Sequence, residues 1–197
     1  DCNLFGIDES TGVIDFTPTN WDVGNYTVNF SVRDSNNRTK PYNATNYKIV
    51  VFEVVNVNDA PIISYVTDSV VFHQGERMEL IFNGTDIEND TLTFYSTTLY
   101  RNGSVYVNES LFPIETRDGS YPLAPAKGIV NLTLTNEHVG NYTLNITLSD
   151  GSINVSLQIN VSILNVNDPP VLDFVPNLTA VQDLEFFYDV NASDPDD

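Results

Sequence analysis

The chain predicts an all-β fold: tandem Greek-key β-sandwiches, one complete module between two complementary partial ones. Three observations predict it. Polar and apolar residues alternate along short runs, with no helical period of useful length. Gly, Asn, Asp and Pro punctuate those runs as turn formers. Two motifs recur, one after 109 residues and the other after 116, the size of a single sandwich module.

Taken in chain order, Phe5–Pro18 reads as the middle of a module. Thr19-Asn20-Trp21-Asp22-Val23-Gly24-Asn25-Tyr26-Thr27 then opens a strand in which Asn25, Thr27, Asn29 and Ser31 alternate with Tyr26, Val28, Phe30 and Val32, ending near Asp34. The linker Asn56-Val57-Asn58-Asp59-Ala60-Pro61 follows, and Gln74 leads after twelve residues to the acidic turn Asp86-Ile87-Glu88. From about residue 95 to 127 the pattern is atypical and reads as an insertion, carrying Tyr100, Arg101, Tyr106, Phe112, Arg117 and Tyr121. The hairpin signature returns as Thr135-Asn136-Glu137-His138-Val139-Gly140-Asn141-Tyr142-Thr143. Its strand sets Tyr142, Leu144, Ile146 and Leu148 on one face and Asn141, Thr143, Asn145 and Thr147 on the other, ending at Asp150-Gly151. Asn154–Ser162 alternates likewise. The linker returns as Asn165-Val166-Asn167-Asp168-Pro169-Pro170, and Gln182 leads after twelve residues to Asp194-Pro195-Asp196. Tyr26 and Tyr142, each two residues after a Gly, read equally as tyrosine-corner residues or as plain core aromatics.

These landmarks divide the chain into residues 1–59, the later part of a module; 60–168, a complete one; and 169–197, the opening strands of another. A partial sheet leaves unpaired edges and one bare apolar face, so both fragments need completion. Either the opening strands of one copy complete the first fragment of the next, or the chain is one period of a longer covalent array. Direct closure lacks a counterpart of Thr91–Tyr95; strand donation could be spared that segment, whereas a covalent array would need a shortened domain.

Fifteen Asn-X-Ser/Thr sequons mark Asn25, Asn29, Asn37, Asn43, Asn83, Asn89, Asn102, Asn108, Asn131, Asn141, Asn145, Asn154, Asn160, Asn177 and Asn191, where chance combination of this composition would give about four. Several lie on the polar face of a strand, so the expectation is a secreted or cell-surface chain whose outer faces carry N-linked glycans. With 27 Asp and Glu against 8 Lys and Arg, the net charge of −19 repels nucleic acid and anionic membrane and favours cations. The single Cys2 excludes an internal disulfide.

The linker, the T-N-x-x-V-G-N-Y-T approach, the acidic turns and the closing Asp34 and Asp150-Gly151 together resemble the cadherin-like, immunoglobulin-type tandem domains of prokaryotic, including archaeal, surface proteins. The resemblance implies calcium at the module junctions, where a hard cation takes six to eight oxygen ligands. It would draw on Asn20, Asp22, Asn56, Asn58, Asp59, Asp86, Glu88 and Asp150 at the first junction, and on Asn136, Glu137, Asn165, Asn167, Asp168, Asp194 and Asp196 at the second. This chain departs from the family pattern by opening each linker with Asn and by placing Ala60 or Pro169 where a further Asn is usual. Each change removes a charge or a ligand. The same Asn-X-Asn-Asp run also reads as a pair of Asx turns capping a boundary.

Enzymatic readings find little support. His73 and His138 are the only histidines, and the sequence holds neither a zinc-like cluster nor a Gly-X-Ser-X-Gly elbow. The reading is therefore a non-enzymatic, extracellular, glycosylated structural or adhesive rod or head-to-tail filament whose partners are neighbouring copies of itself. The alternative is a carbohydrate- or protein-binding module of a large adhesin, in which aromatics of the atypical segment would contact a cell-surface glycan or protein.

Overall fold

The computed structural model describes residues 4–34, 45–65, 67–108, 111–119 and 124–196. They fall into two units, Asp1–Asp59 and Ala60–Asp197. Asn37 and Asn43 lie outside the described residues.

The first unit is built on one hairpin, β1 (Gly24–Arg33) and β2 (Thr45–Val54), antiparallel in the register Gly24↔Val54 through Arg33↔Thr45. Tyr26, Val28 and Phe30 share a face with Val50, Phe52 and Val54. Phe5 and Phe16 pack on that face, with ring centroids 5.5 Å and 5.8 Å from Phe52 and 5.1 Å from one another. Upstream, the Asp8 carboxylate accepts hydrogen bonds from the Ser10 and Thr11 amides and the Ser10 hydroxyl, which holds its pKa down at about 2.

The second unit contains a complete sandwich. Its four-stranded sheet orders β3 (Ile62–Ser64), β5 (Arg77–Thr85), β9 (Ala126–Thr133) and β8 (Ile114–Arg117). Its five-stranded sheet orders β4 (Ser69–His73), β11 (Asn154–Leu164), β10 (Gly140–Ser149), β6 (Thr93–Arg101) and β7 (Ser104–Asn108). All pairings are antiparallel except β4 with β11, which run parallel from Ser69↔Asn160 to His73↔Leu164. The opening strand thus splits: β3 serves one sheet and β4 crosses to the other.

Period-2 alternation builds the core. Met78, Leu80 and Phe82 of β5 face Leu144, Ile146 and Leu148 of β10 and Ile159, Val161 and Ile163 of β11, all essentially inaccessible. Phe94 spans the gap between the sheets. A Cβ built on Gly84 would meet its ring at 3.0 Å, and one on Gly128 at 2.6 Å. Both positions need a residue without a side chain, because the Phe94 ring occupies the space over Gly128 and shares it with Leu148, whose Cδ2 a Cβ would meet at 2.9 Å, over Gly84.

The stretch read as an insertion is integral. β6 pairs with the central strand β10 from Ser149↔Thr93 to Tyr142↔Arg101, β8 closes the four-stranded sheet, and Phe112 is 1% exposed. Its sequence looked atypical because a β-bulge that leaves Leu99 of β6 without a register partner on β10, and a short turn at Asn102 and Gly103, both residues in positive φ, interrupt the alternation there. The aromatics divide: Phe112 is core, Tyr106 lies against Arg101, and Tyr95 and Tyr100 remain on the outer face.

After the linker, only β12 (Val171–Leu172) and β13 (Ala192–Ser193) pair, antiparallel, and Phe174, Phe186, Phe187 and Val190 stay exposed. Because Phe94 fills the space above Gly128, a Gly128→Ala substitution overpacks the core. We expect it to cost about 1–3 kcal/mol in chemical denaturation.

Candidate functional site

Two 3-10 turns deliver the hairpins and set the corner of each unit. In the first, Asn20–Asp22, the Asp22 carboxylate accepts from the Thr19 amide (2.7 Å) and hydroxyl (2.8 Å), which lowers its pKa. In the second, Asn136–His138, the imidazole takes the same place: the Thr135 amide donates to His138 Nδ1 at 3.1 Å, with the Thr135 hydroxyl at 2.8 Å. Burial lowers the His138 pKa, and the ring lies 5.9 Å from Phe112. The tyrosine-corner alternative is the one realised. Tyr26 donates to the Asp22 carbonyl at 2.8 Å and Tyr142 to the Val139 carbonyl at 3.3 Å. Arg101 locks the second turn, donating from Nη2 to the Glu137 and Val139 carbonyls at 3.1 Å each while its guanidinium lies 5.8 Å from the Tyr106 centroid and 5.6 Å from that of Tyr142. No sequence signal singled out Arg101 for this role.

The predicted junction residues partly converge. Within the second unit the Asp168 amide donates to Asp196 Oδ2 (2.5 Å), the Asp196 amide to Asp194 Oδ1 (2.9 Å), and Asn136 Nδ2 to the Pro195 carbonyl (3.1 Å). Gln74 ties in from the end of β4. Its Nε2 donates to Asp168 Oδ2 at 2.6 Å, and its Oε1 accepts from the Val166 amide. Asn136 Oδ1 and Asp196 Oδ1 are buried with no hydrogen-bond partner. Glu137 enters only through its carbonyl, Asn165 is exposed, and Asn167 donates to the Asp168 carbonyl in an Asx-like turn.

The residues assigned to the first junction are distributed over both units. In the first, Asn20 Nδ2 donates to Asp59 Oδ2 at 2.5 Å and Asn58 Nδ2 to the Asp59 carbonyl, Asp22 is engaged in its cap, and Asn56 is exposed. In the second, Asp86 Oδ1 accepts the amides of Glu88 and Asp90, while its Oδ2 is buried without a hydrogen-bond partner. That side chain lines a cleft of about 260 Å³ with Asn89, Asp90 and Asp118. Asp150 Oδ1 accepts from the Ser152 and Ile153 amides and so shapes the β10–β11 turn.

Among the described residues no three His, Cys, Asp or Glu side chains stand close enough together to hold a metal by themselves. The donor set that does converge is oxygen-only and includes amide as well as carboxylate oxygens. The two orphaned oxygens, on Asn136 and Asp196, suit a hard cation that fills its shell with backbone carbonyls and water.

The sequon residues of the sheets lie outward. Asn141 faces Ser162 and Thr143 faces Asn160 across β10–β11, and each sequon's hydroxyl donates to the other's Asn: Thr143 Oγ1 to Asn160 Oδ1 at 3.2 Å, Ser162 Oγ to Asn141 Oδ1 at 2.8 Å. The Nδ2 atoms that a glycan would occupy are not used in these bonds. Asn25, Asn29, Asn89, Asn102, Asn131, Asn154, Asn177 and Asn191 are exposed, and Asn83 and Asn145 are partly so.

No helix among the described residues is long and apolar enough to cross a membrane. No family model and no curated protein matches the chain. Among solved structures it is similar to the titin M4 domain at 16% identity, over 55% of this chain and 99% of that one, with a TM-score of 0.35. It is similar to the SrpA adhesin of Streptococcus sanguinis at 16% identity, over 66% and 72%, with a TM-score of 0.40. A third, the Dpr2 Ig1-Ig2 complex with DIP-Theta, matches at 14% identity over 70% and 41%, with a TM-score of 0.39.

The His138 cap depends on a neutral ring. Its lowered pKa means the cap is complete above the ordinary histidine pKa of about 6.5 and is lost as pH falls through the lower folded value. The protection factor of the Thr135 amide, its exchange rate relative to the intrinsic rate at the same pH, should fall on acidification, and His138→Asp, which copies Asp22, should keep that protection at pH about 5. An equal fall in protection in both proteins would contradict this.

Proposed function

We propose that the chain is a non-enzymatic, N-glycosylated, extracellular structural or adhesive protein whose partial modules are completed by further copies, giving a rod or head-to-tail filament. The observation that carries it is one hairpin built twice in one register, with its apolar face covered fully in one copy and partly in the other, where Val28 and Val54 are buried. Gly24↔Val54 repeats Gly140↔Ile163. Leu148 is fully buried where its counterpart Val32 is 70% exposed, and Ile159 and Val161 are buried where Val50 and Phe52 are only half-covered.

The missing cover has a matching source in residues 171–193. By the repeat, Phe186, Tyr188 and Val190 correspond to Met78, Leu80 and Phe82, which are buried in β5, yet here they are 50%, 36% and 53% exposed. Met78↔Leu132 and Leu80↔Val130 pair β5 with β9. Transferred to the other copy, that register sets Phe186 opposite Phe16 and Tyr188 opposite Ile14, while Leu178 lies parallel to Phe52 as Val70 does to Val161. Cysteines at Ile14 and Tyr188, in a Cys2→Ser background, should give disulfide-linked ladders on oxidation. Phe186→Asp should abolish them. Monomers alone under oxidising conditions would sink the assembly.

Calcium fits the same reading as a junction stiffener, held by Asn136, Asp168, Asp194 and Asp196. The orphaned oxygens of Asn136 and Asp196 support it. Removing calcium with a chelator should lower the melting temperature by several degrees, as expected for loss of about 2.7 kcal/mol at a hundredfold excess over Kd. Asp196→Asn should blunt that response. An unchanged melting curve would end the proposal.

A second reading, a sugar- or protein-binding module, draws on Tyr95 and Tyr100, exposed on the outer face of β6. A glycan array that registers binding dependent on these two tyrosines would favour it over the filament.

A further inference from the structure

The outer faces of the sheets hold exposed apolar side chains that none of the described residues of their own unit bury. Tyr47, Ile49 and Val51 form a stripe along β2 and are 66%, 59% and 71% exposed. The equivalent outward positions of β11 are Ser156, Gln158 and Asn160, so the stripe is peculiar to the first unit. In water such a stripe costs free energy and invites aggregation.

Its neighbours across the hairpin are acceptor asparagines. Asn29 is directly opposite Ile49 and diagonal to both Tyr47, which faces Ser31, and Val51, which faces Thr27. The β10 strand repeats the arrangement. Tyr95 faces Thr147 and so is diagonal to Asn145; Tyr100 faces Thr143 and is diagonal to Asn141. Val71, 61% exposed, faces Ser162 and is diagonal to Asn160. On the four-stranded sheet Ile81 faces Ile129 and is diagonal to Asn131. Directly opposed side chains start about 5 Å apart and diagonal ones about 7–8 Å, distances that one or two sugar rings span.

We propose that the outer apolar residues of these sheets are binding surfaces for the chain's own N-linked sugars. The glycan on Asn29 lies across β2 and covers Tyr47, Ile49 and Val51, and the glycan on Asn145 lies against Tyr95. A pyranose ring has one face made largely of C–H groups, which stacks on an aromatic or aliphatic surface and turns its hydroxyls to water. The acceptors are suitably held, since each stands on a hydrogen-bonded strand at a fixed register to the residues its sugar would cover. On β1, β9, β10 and β11 a sequon asparagine thus stands beside these exposed apolar side chains. In this role the first sugars act as an outer packing layer, and the glycan's more distal part supplies the hydrophilic surface.

The inference rests on the glycosylated reading, and one experiment separates the two. The full chain is made in a host that glycosylates it, and site occupancy is read by mass spectrometry of glycopeptides. Nitration of Tyr47 and Tyr95 by tetranitromethane is then timed in the parent, in Asn29→Gln, in Ser31→Ala, which removes the Asn29 sequon while keeping the Asn, and in Asn89→Gln as a control in a turn. Tyr47 should react several-fold faster in both Asn29-site variants and unchanged in the control, with Tyr95 insensitive to the Asn29 site. Asn145→Gln should release Tyr95 in the same way. Bare Asn29 and Asn145 in the parent would overturn the glycosylated reading at those sites. Full occupancy with equal Tyr47 nitration in parent and variants would leave glycosylation standing and overturn the covering role.

Discussion

A β-sheet with one apolar face is stable only when that face is covered, and in this protein the cover for the β10–β11 hairpin is the β5–β9 pair. Everything else in the second unit serves that closure. Phe94 fixes the separation of the sheets by lying over Gly84 and Gly128, Tyr142 anchors the start of the hairpin, and Arg101 holds the 3-10 turn against β6. The first unit contains the same hairpin with the same register but covers its face less completely: Phe5 and Phe16 pack on Phe52, and Val28 and Val54 are buried, while Val32 stays 70% exposed. The chemistry of the molecule follows from this inequality more than from any cluster of reactive groups.

The polar half of the design is equally organised. Its charge is concentrated in turns and linkers, while the outward positions of β10 and β11 from Asn141 to Ser162 are Asn, Ser, Thr and Gln without a formal charge. Uncharged hydrogen-bonding side chains let two sequons interlock through Thr143 with Asn160 and Ser162 with Asn141. Like charges across the same pair would repel.

Much of the fold was legible because alternation and duplicated motifs are local. Tyr142, Leu144, Ile146 and Leu148 announce their shared face in the sequence, and the two linkers announce the module length. The atypical stretch misled for a physical reason: a bulge breaks period 2, so β6 loses its signature although it sits beside the central strand. The cap at His138 was half legible. Its alignment with Asp22 located it, but the bond to Thr135 depends on the ring's tautomer and on burial against Phe112. Of the residues grouped at the second junction, Asn136, Asp168, Asp194 and Asp196 converge, whereas Glu137 and Asn165 do not. Convergence depends on backbone turns such as Asp194-Pro195-Asp196 that residue type alone does not orient.

The parallel pairing of β4 with β11 has a mechanical consequence. The chain enters the sandwich just before these strands at residue 60 and leaves it after β11 at residue 165, so tension between those points slides β4 and β11 past each other lengthwise. Five paired residues, Ser69–His73 against Asn160–Leu164, then bear load together, and they cannot open one at a time as the rungs of a hairpin pulled from its end would. Resistance to extension is therefore concentrated in one short seam. The Gln74 amide, which donates to the Leu164 carbonyl at 2.9 Å, and the Gln74 side chain, bound to Asp168, extend that seam to the linker itself.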